Sequence, residues 1–225
     1  MIWQDECIVC GNYMYKLKNN YIKCSTCKRK FSKQKLNKTH LLAELFLQNK
    51  SAHEVAKANG YSYVSVQEYF HTFRLLCGAI CQREYEQLRQ KNCEYEEYFY
   101  ITKSKHNKKN AIFEAKNFLT FDYEGHIYTI LLPSLEQYKE QFSDDGLEDV
   151  YHKELKKFAR DFKLINIQNK ENNITRFWEY LEQTITHYRG IHEEQFGYFL
   201  KEFEFKYNHT YHKALTLLLQ EYFHA

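Results

Sequence analysis

Cys7-Ile8-Val9-Cys10 is followed, after thirteen residues, by Cys24-Ser25-Thr26-Cys27. No other feature constrains the fold so tightly. Each Cys-x-x-Cys knuckle can aim two thiolates at one ion, and the intervening residues are long enough for a short hairpin. The spacing therefore predicts a tetrahedral zinc site made by Cys7, Cys10, Cys24 and Cys27. Four thiolates leave no open position for water, so the zinc is expected to be structural. The second knuckle runs into Lys28, Arg29, Lys30, Lys33, Lys35 and Lys38, with no acid between Cys24 and His40. A small metal module with a basic edge points to nucleic acid, and Lys28, Arg29, Lys30, Lys33 and Lys35 are its candidate phosphate contacts.

The remaining cysteines, Cys77, Cys81 and Cys93, read as structural side chains without partner ligands. The chain has 225 residues, 44% hydrophobic and 27% charged, which allows one large domain or a few small ones. Net charge is only +3, so local basic runs matter more than the total. A second run, Lys103 to Lys109, reads as a solvated loop. The start lacks a basic, apolar leader and no apolar run is long enough for a membrane. Seven cysteines without such a leader fit a reducing cytoplasm.

Residues 39–78 carry helical periodicity. Leu41, Leu42, Leu45 and Phe46 form one stripe. Ser51 and Glu54 make a capping box, and Asn59-Gly60 supplies a left-handed stop. Ser62 then precedes a helix whose apolar face is Val66, Phe70, Phe73 and Cys77. Short helix, glycine turn and longer helix form the helix-turn-helix pattern. On its last helix, Tyr63, Ser65, Gln67, His71 and Arg74 are the candidate exposed contacts to phosphates or base edges. From residue 94 the period changes to strands: 94–101, 117–121 and 127–132, the last pair joined through Glu124-Gly125. Beyond Pro133 the patterns are mainly helical, with a polar break near 166–173. The fold class is multi-domain α+β: a zinc ribbon over 1–38, a helix-turn-helix with a connecting helix over 39–92, and a strand-then-helix domain over 93–225.

In this order the chain resembles bacterial insertion-sequence transposases with an N-terminal zinc ribbon and a ribonuclease-H-like catalytic domain of the DDE type. The resemblance rests on the zinc knuckles continuing through Lys28-Arg29-Lys30-Phe31-Ser32 and on Gly125 to Pro133. It rests above all on Asn172 to Trp178, Tyr188 to Ile191 and Phe199 to Asn208. It implies an α/β ribonuclease-H-like domain with a helical C-terminus, and double-stranded DNA at element ends as partner. It also implies a homodimer on DNA and a bacterial cytoplasmic, nucleoid-associated location. The family's acidic residues hold two divalent ions, Mg2+ or Mn2+, for phosphodiester cleavage and transfer. The matching positions here are Glu96, where the family has Asp, and Asp145 before Gly146, with Asp144 and Asp149 as alternatives. For the third position Glu182 is taken, beside Glu171 and Glu179. The family's His, Glu and Lys places hold Lys170, Thr175 and Glu182. The scaffold signature is thus kept while the catalytic signature departs, and a DNA-binding derivative without cleavage is the alternative.

Overall fold

The computed structural model describes residues 6–101, 111–138, 153, 172–188 and 190–224. The chain divides into two compact units: Met1–Glu84 with Gln183–Ala225, and Tyr85–Glu182. The architecture is mixed α+β, with two three-stranded antiparallel sheets among the described residues. Among the described residues, no helix is long and apolar enough to cross a membrane.

The first unit opens with β1 (Met14–Lys16), β2 (Tyr21–Cys24) and β3 (Lys30–Ser32), paired in the order β1-β2-β3. Asn19 and Asn20 both adopt left-handed φ at the β1–β2 turn. Asparagine tolerates this region, and two such residues match the twist of a tight hairpin. Ser32 then caps α1 (Lys33–Leu47), its hydroxyl accepting from the Lys35 amide. The capping box at α2 (Ala52–Asn59) is formed as expected. The Ser51 amide donates to Glu54 Oε2 at 2.9 Å and the Glu54 amide to Ser51 Oγ at 3.3 Å. Gly60, at φ +67°, ends that helix by donating to the Ala56 carbonyl. α3 (Tyr63–Leu88) starts directly after Ser62 and buries Val66, Phe70, Phe73 and Cys77, the expected face.

Further along the chain, α4 (Asn173–Ile185), α5 (Phe196–Asn208) and α6 (Tyr211–His224) follow. Phe205, Leu215, Leu218 and Leu219 lie in the same buried cluster as Cys7, Ile22, Phe46 and Phe70. The compact units divide the chain differently from the sequence boundaries. Residues 183–225 belong to the same compact unit as the first 84, and 85–182 form the other. The cysteine module of 1–38 is not a separate bead, because its apolar side chains belong to the helical core.

In the second unit β4 (Glu94–Tyr100), β5 (Lys116–Tyr123) and β6 (His126–Leu131) form a meander in the order β4-β5-β6. Glu124 and Gly125, both at positive φ, make the expected β5–β6 turn, and the Gly125 amide donates to Asp122 Oδ1 at 2.7 Å. The register sets Glu96 opposite Thr120 and Tyr98 opposite Phe118. Cross-strand partners share a face, so these four line one side of the sheet. Trp178 of α4 reaches that side: its indole N–H donates to Thr120 Oγ1 at 2.9 Å and its ring lies 4.5 Å from Tyr98.

Candidate metal centre and nucleic-acid surface

The four knuckle sulfurs lie within 4.8 Å of one another. Cys7 and Cys27 are 3.7 Å apart, and Cys10 and Cys24 3.4 Å. A tetrahedral zinc with sulfurs at about 2.3 Å would hold them roughly 3.8 Å apart, so the cage fits such an ion. The two knuckles are built alike. The residue after each second cysteine, Gly11 at φ +70° and Lys28 at φ +62°, is left-handed. For lysine that conformation costs about 1–2 kcal/mol, which the knuckle must offset. The Thr26 and Cys27 amides each point at Cys24 Sγ at 3.4 Å.

These contacts sort the thiols. Burial pushes Cys7 up to about 12. Hydrogen bonds from Asn12 bring Cys10 down to about 6. At Cys24 burial pulls upward, but the Thr26 and Cys27 amides outweigh it and the thiol falls below its ordinary value. A bound cation would displace the remaining protons. The four-cysteine cluster could therefore hold a metal ion such as zinc.

Along the basic run the cations differ in employment. Lys28 donates to the Ser25 carbonyl. Arg29 donates to the Phe223 carbonyl at 2.5 Å and the His224 carbonyl at 3.5 Å, satisfying orphan acceptors at the end of α6. Lys30 lies 4.3 Å over the Tyr21 ring and Lys35 5.9 Å from the Tyr222 ring. Lys33 is half-buried. Lys28, Arg29, Lys30 and Lys35 are exposed.

On α3, Tyr63, Gln67 and His71 are exposed. Ser65 is half-buried and accepts from Lys38 at 3.1 Å. Arg74 corrects the sequence expectation. Its side chain is only 11% exposed, with Nε 2.7 Å from Glu202, a fully buried carboxylate. Its guanidinium lies 3.8 Å over the Phe199 ring. Helical spacing put Arg74 on the solvent side, but α5 covers that stretch of α3.

Glu202 is the centre of a polar cluster that sequence reasoning missed. It accepts from Arg74, from the Tyr188 hydroxyl at 2.7 Å and from Lys206. Lys206 also donates to the Phe46 carbonyl at 2.6 Å and to Asn49 at 2.9 Å. The i, i+4 spacing of Glu202 and Lys206 was the available signal.

The expected carboxylates fare unevenly. Asp145, with Asp144, Asp149 and Glu171, lies outside the described residues. Glu96 is half-buried and accepts from the Asn172 amide at 3.0 Å. Asn172 also caps α4, its Oδ1 taking the Thr175 amide at 2.8 Å. Thr175 thus serves the cap at the place the resemblance assigns to a carboxylate. Glu182 accepts a hydrogen bond from the buried Tyr98 hydroxyl. Among the described residues, the cysteines are the only group of three or more His, Cys, Asp or Glu side chains near enough to share an ion.

No protein family, curated protein or solved structure matches this chain.

Proposed function

We propose that this chain is a DNA-binding protein of the insertion-sequence transposase type. The capped α2, the left-handed Gly60 turn and α3 carry the proposal, lying in one compact unit with the four-cysteine cage and its exposed lysines. In this reading zinc holds the knuckles rigid, the lysines neutralise phosphates, and the exposed start of α3 meets the bases. Element ends are the target, bound by a homodimer.

For the sheet-bearing unit we favour a ribonuclease-H-like fold. The meander β4-β5-β6, with the first strand at an edge of the described sheet, is compatible with the antiparallel half of such a fold. The contact between Glu96 and Asn172, 76 residues apart, joins two positions singled out by the resemblance. A second reading is a derivative that binds DNA without cutting it. Its support is Glu182, which already accepts the Tyr98 hydroxyl, and Thr175, which serves the α4 cap at a place the resemblance assigns to a carboxylate.

The deciding experiment combines salt-dependent binding to duplexes from the gene's flanks with Mn2+-dependent nicking of the same duplexes. Binding that weakens steeply with salt supports the DNA reading. Nicking abolished by Glu96→Gln supports the active enzyme, whereas binding without nicking supports the derivative. Absence of duplex binding by metal-loaded protein at low salt would overturn both.

A further inference from the structure

We infer that the first two turns of α3 read a DNA half-site in the major groove, with Val64 on a thymine methyl, Gln67 on an adjacent adenine, and Lys38 fixing the register through a backbone phosphate. The inference rests on the DNA-binding reading above and names its base-reading side chains.

Val64 carries the first observation. It is an aliphatic side chain at the second position of α3, and it is 60% exposed. The stripe that packs inward is Val66, Phe70 and Phe73, so Val64 makes no contribution to the core. Positions 64, 67, 68 and 71 follow the i, i+3, i+4, i+7 spacing of one helix face, and all four are exposed. His71 lies edge-on to the Tyr198 ring at 5.5 Å, so the open part of the face is Val64, Gln67 and Glu68, one helix wide, which suits a groove of about 12 Å. A methyl-bearing side chain followed one turn later by glutamine matches two major-groove features on neighbouring base pairs: a thymine methyl, and the N6 and N7 of an adenine.

Lys38 carries the second. Its ammonium donates to Ser65 Oγ in the first turn of α3, at 3.1 Å, and lies 5.0 and 5.2 Å from the Tyr61 and Tyr69 rings. Among the described residues no carboxylate pairs with it. Tyr69 stacks on Tyr222 at 5.8 Å, and Lys35, one turn before Lys38 on α1, lies against Tyr222. Two lysines are thus held on aromatic faces beside α3, and among the described residues neither pairs with a carboxylate. An ordered cation with no anion of its own suits a phosphate.

Glu68 lies on the same face and sharpens the assignment. A carboxylate there is repelled by the phosphates, and the base-edge group that can offset this is a cytosine amino group. It should suppress binding to arbitrary duplex.

The test uses the full metal-loaded chain and selection from a randomised duplex library. The native protein is compared with Val64→Ala, Gln67→Ala, Glu68→Gln and Lys38→Gln. The first three sites are exposed, so folding should be unaffected, and thermal melting checks this. We expect Gln67→Ala to lose discrimination at one adenine by about 5- to 150-fold. Val64→Ala should relax the neighbouring thymine. Glu68→Gln should tighten binding to unselected duplex. Lys38→Gln should weaken selected and arbitrary duplex alike and reduce the salt slope by about 1. If the native protein selects a site and Val64→Ala and Gln67→Ala select the same site equally well, α3 is not the reader, while the DNA-binding reading stands. If the native protein retains no duplex at all, that reading fails and this inference with it.

Discussion

Replacing Glu202 by Gln keeps the shape of the side chain and removes its charge. In the native unit one fully buried carboxylate faces two cations, Arg74 at 2.7 Å and Lys206, and accepts from Tyr188 as well. The amide can still accept hydrogen bonds, but Arg74 and Lys206 become buried positive charges without a counter-charge. Breaking a buried pair in this way costs about 3–5 kcal/mol, a large part of the about 5–15 kcal/mol that holds a typical domain together. At about 4 °C per kcal/mol for a unit of this size, the melting temperature should fall by roughly 12–20 °C. The assay is thermal unfolding followed by circular dichroism, with denaturant titration as a second measure. The triple replacement Glu202→Leu, Arg74→Met and Lys206→Met should recover much of the loss, since apolar groups of similar volume often match a buried ionic cluster.

Acid provides an independent check. Burial alone would raise the Glu202 carboxyl, but Lys206 and Arg74 outweigh it and hold it below 4.5. The contribution of this carboxylate is therefore complete above the unfolded-state value and is lost as pH falls through the lower folded value. Stability of the native protein should decline below about pH 4.5 more steeply than that of Glu202→Gln. A loss of less than about 1 kcal/mol in Glu202→Gln, with an unchanged acid slope, would refute the reasoning.

Other expectations are simpler. Metal removal by a chelator should release hydrogen-exchange protection in β1–β3 and also in α1 and α6, because Ile8, Met14 and Ile22 share their buried cluster; α6 retaining native protection would contradict this. Gly60→Ala should cost about 1–2 kcal/mol in denaturant melts. A Cβ there meets nothing within 4 Å, so the cost would come from φ +67° alone. Trp178→Phe should cost about 1–3 kcal/mol by leaving the buried Thr120 hydroxyl without its indole donor, as read by near-ultraviolet circular dichroism and melting.

Local features were legible in the chain because their causes are local. Ser51 and Glu54 announce a cap at a spacing of three residues, Gly60 announces a left-handed stop, and the two knuckles announce their own cage. Strand alternation from residue 94 also translates directly into β4. What periodicity does not carry is the identity of the element that covers a given face. Arg74 sits at a spacing that reads as solvent-exposed, yet its partner Glu202 lies 128 residues away. The contact of Glu96 with Asn172 spans 76 residues, and only the family resemblance singled out both. The return of 183–225 to the first unit is likewise a matter of long-range packing, which a change of period at residue 94 does not foretell.

That return governs how the molecule is made. The unit containing the cysteine cage is discontinuous, with Tyr85–Glu182 inserted between its two parts. On a ribosome, residues 1–84 emerge with the partners of Phe46 and Phe70 still untranslated, including Phe205 and Leu218. At about 5–20 residues per second, the intervening segment delays their arrival by roughly 5–20 s. During that interval the nascent chain exposes an incomplete apolar surface. Early metal capture by the knuckles would give it a foothold of order before the closing helices are translated.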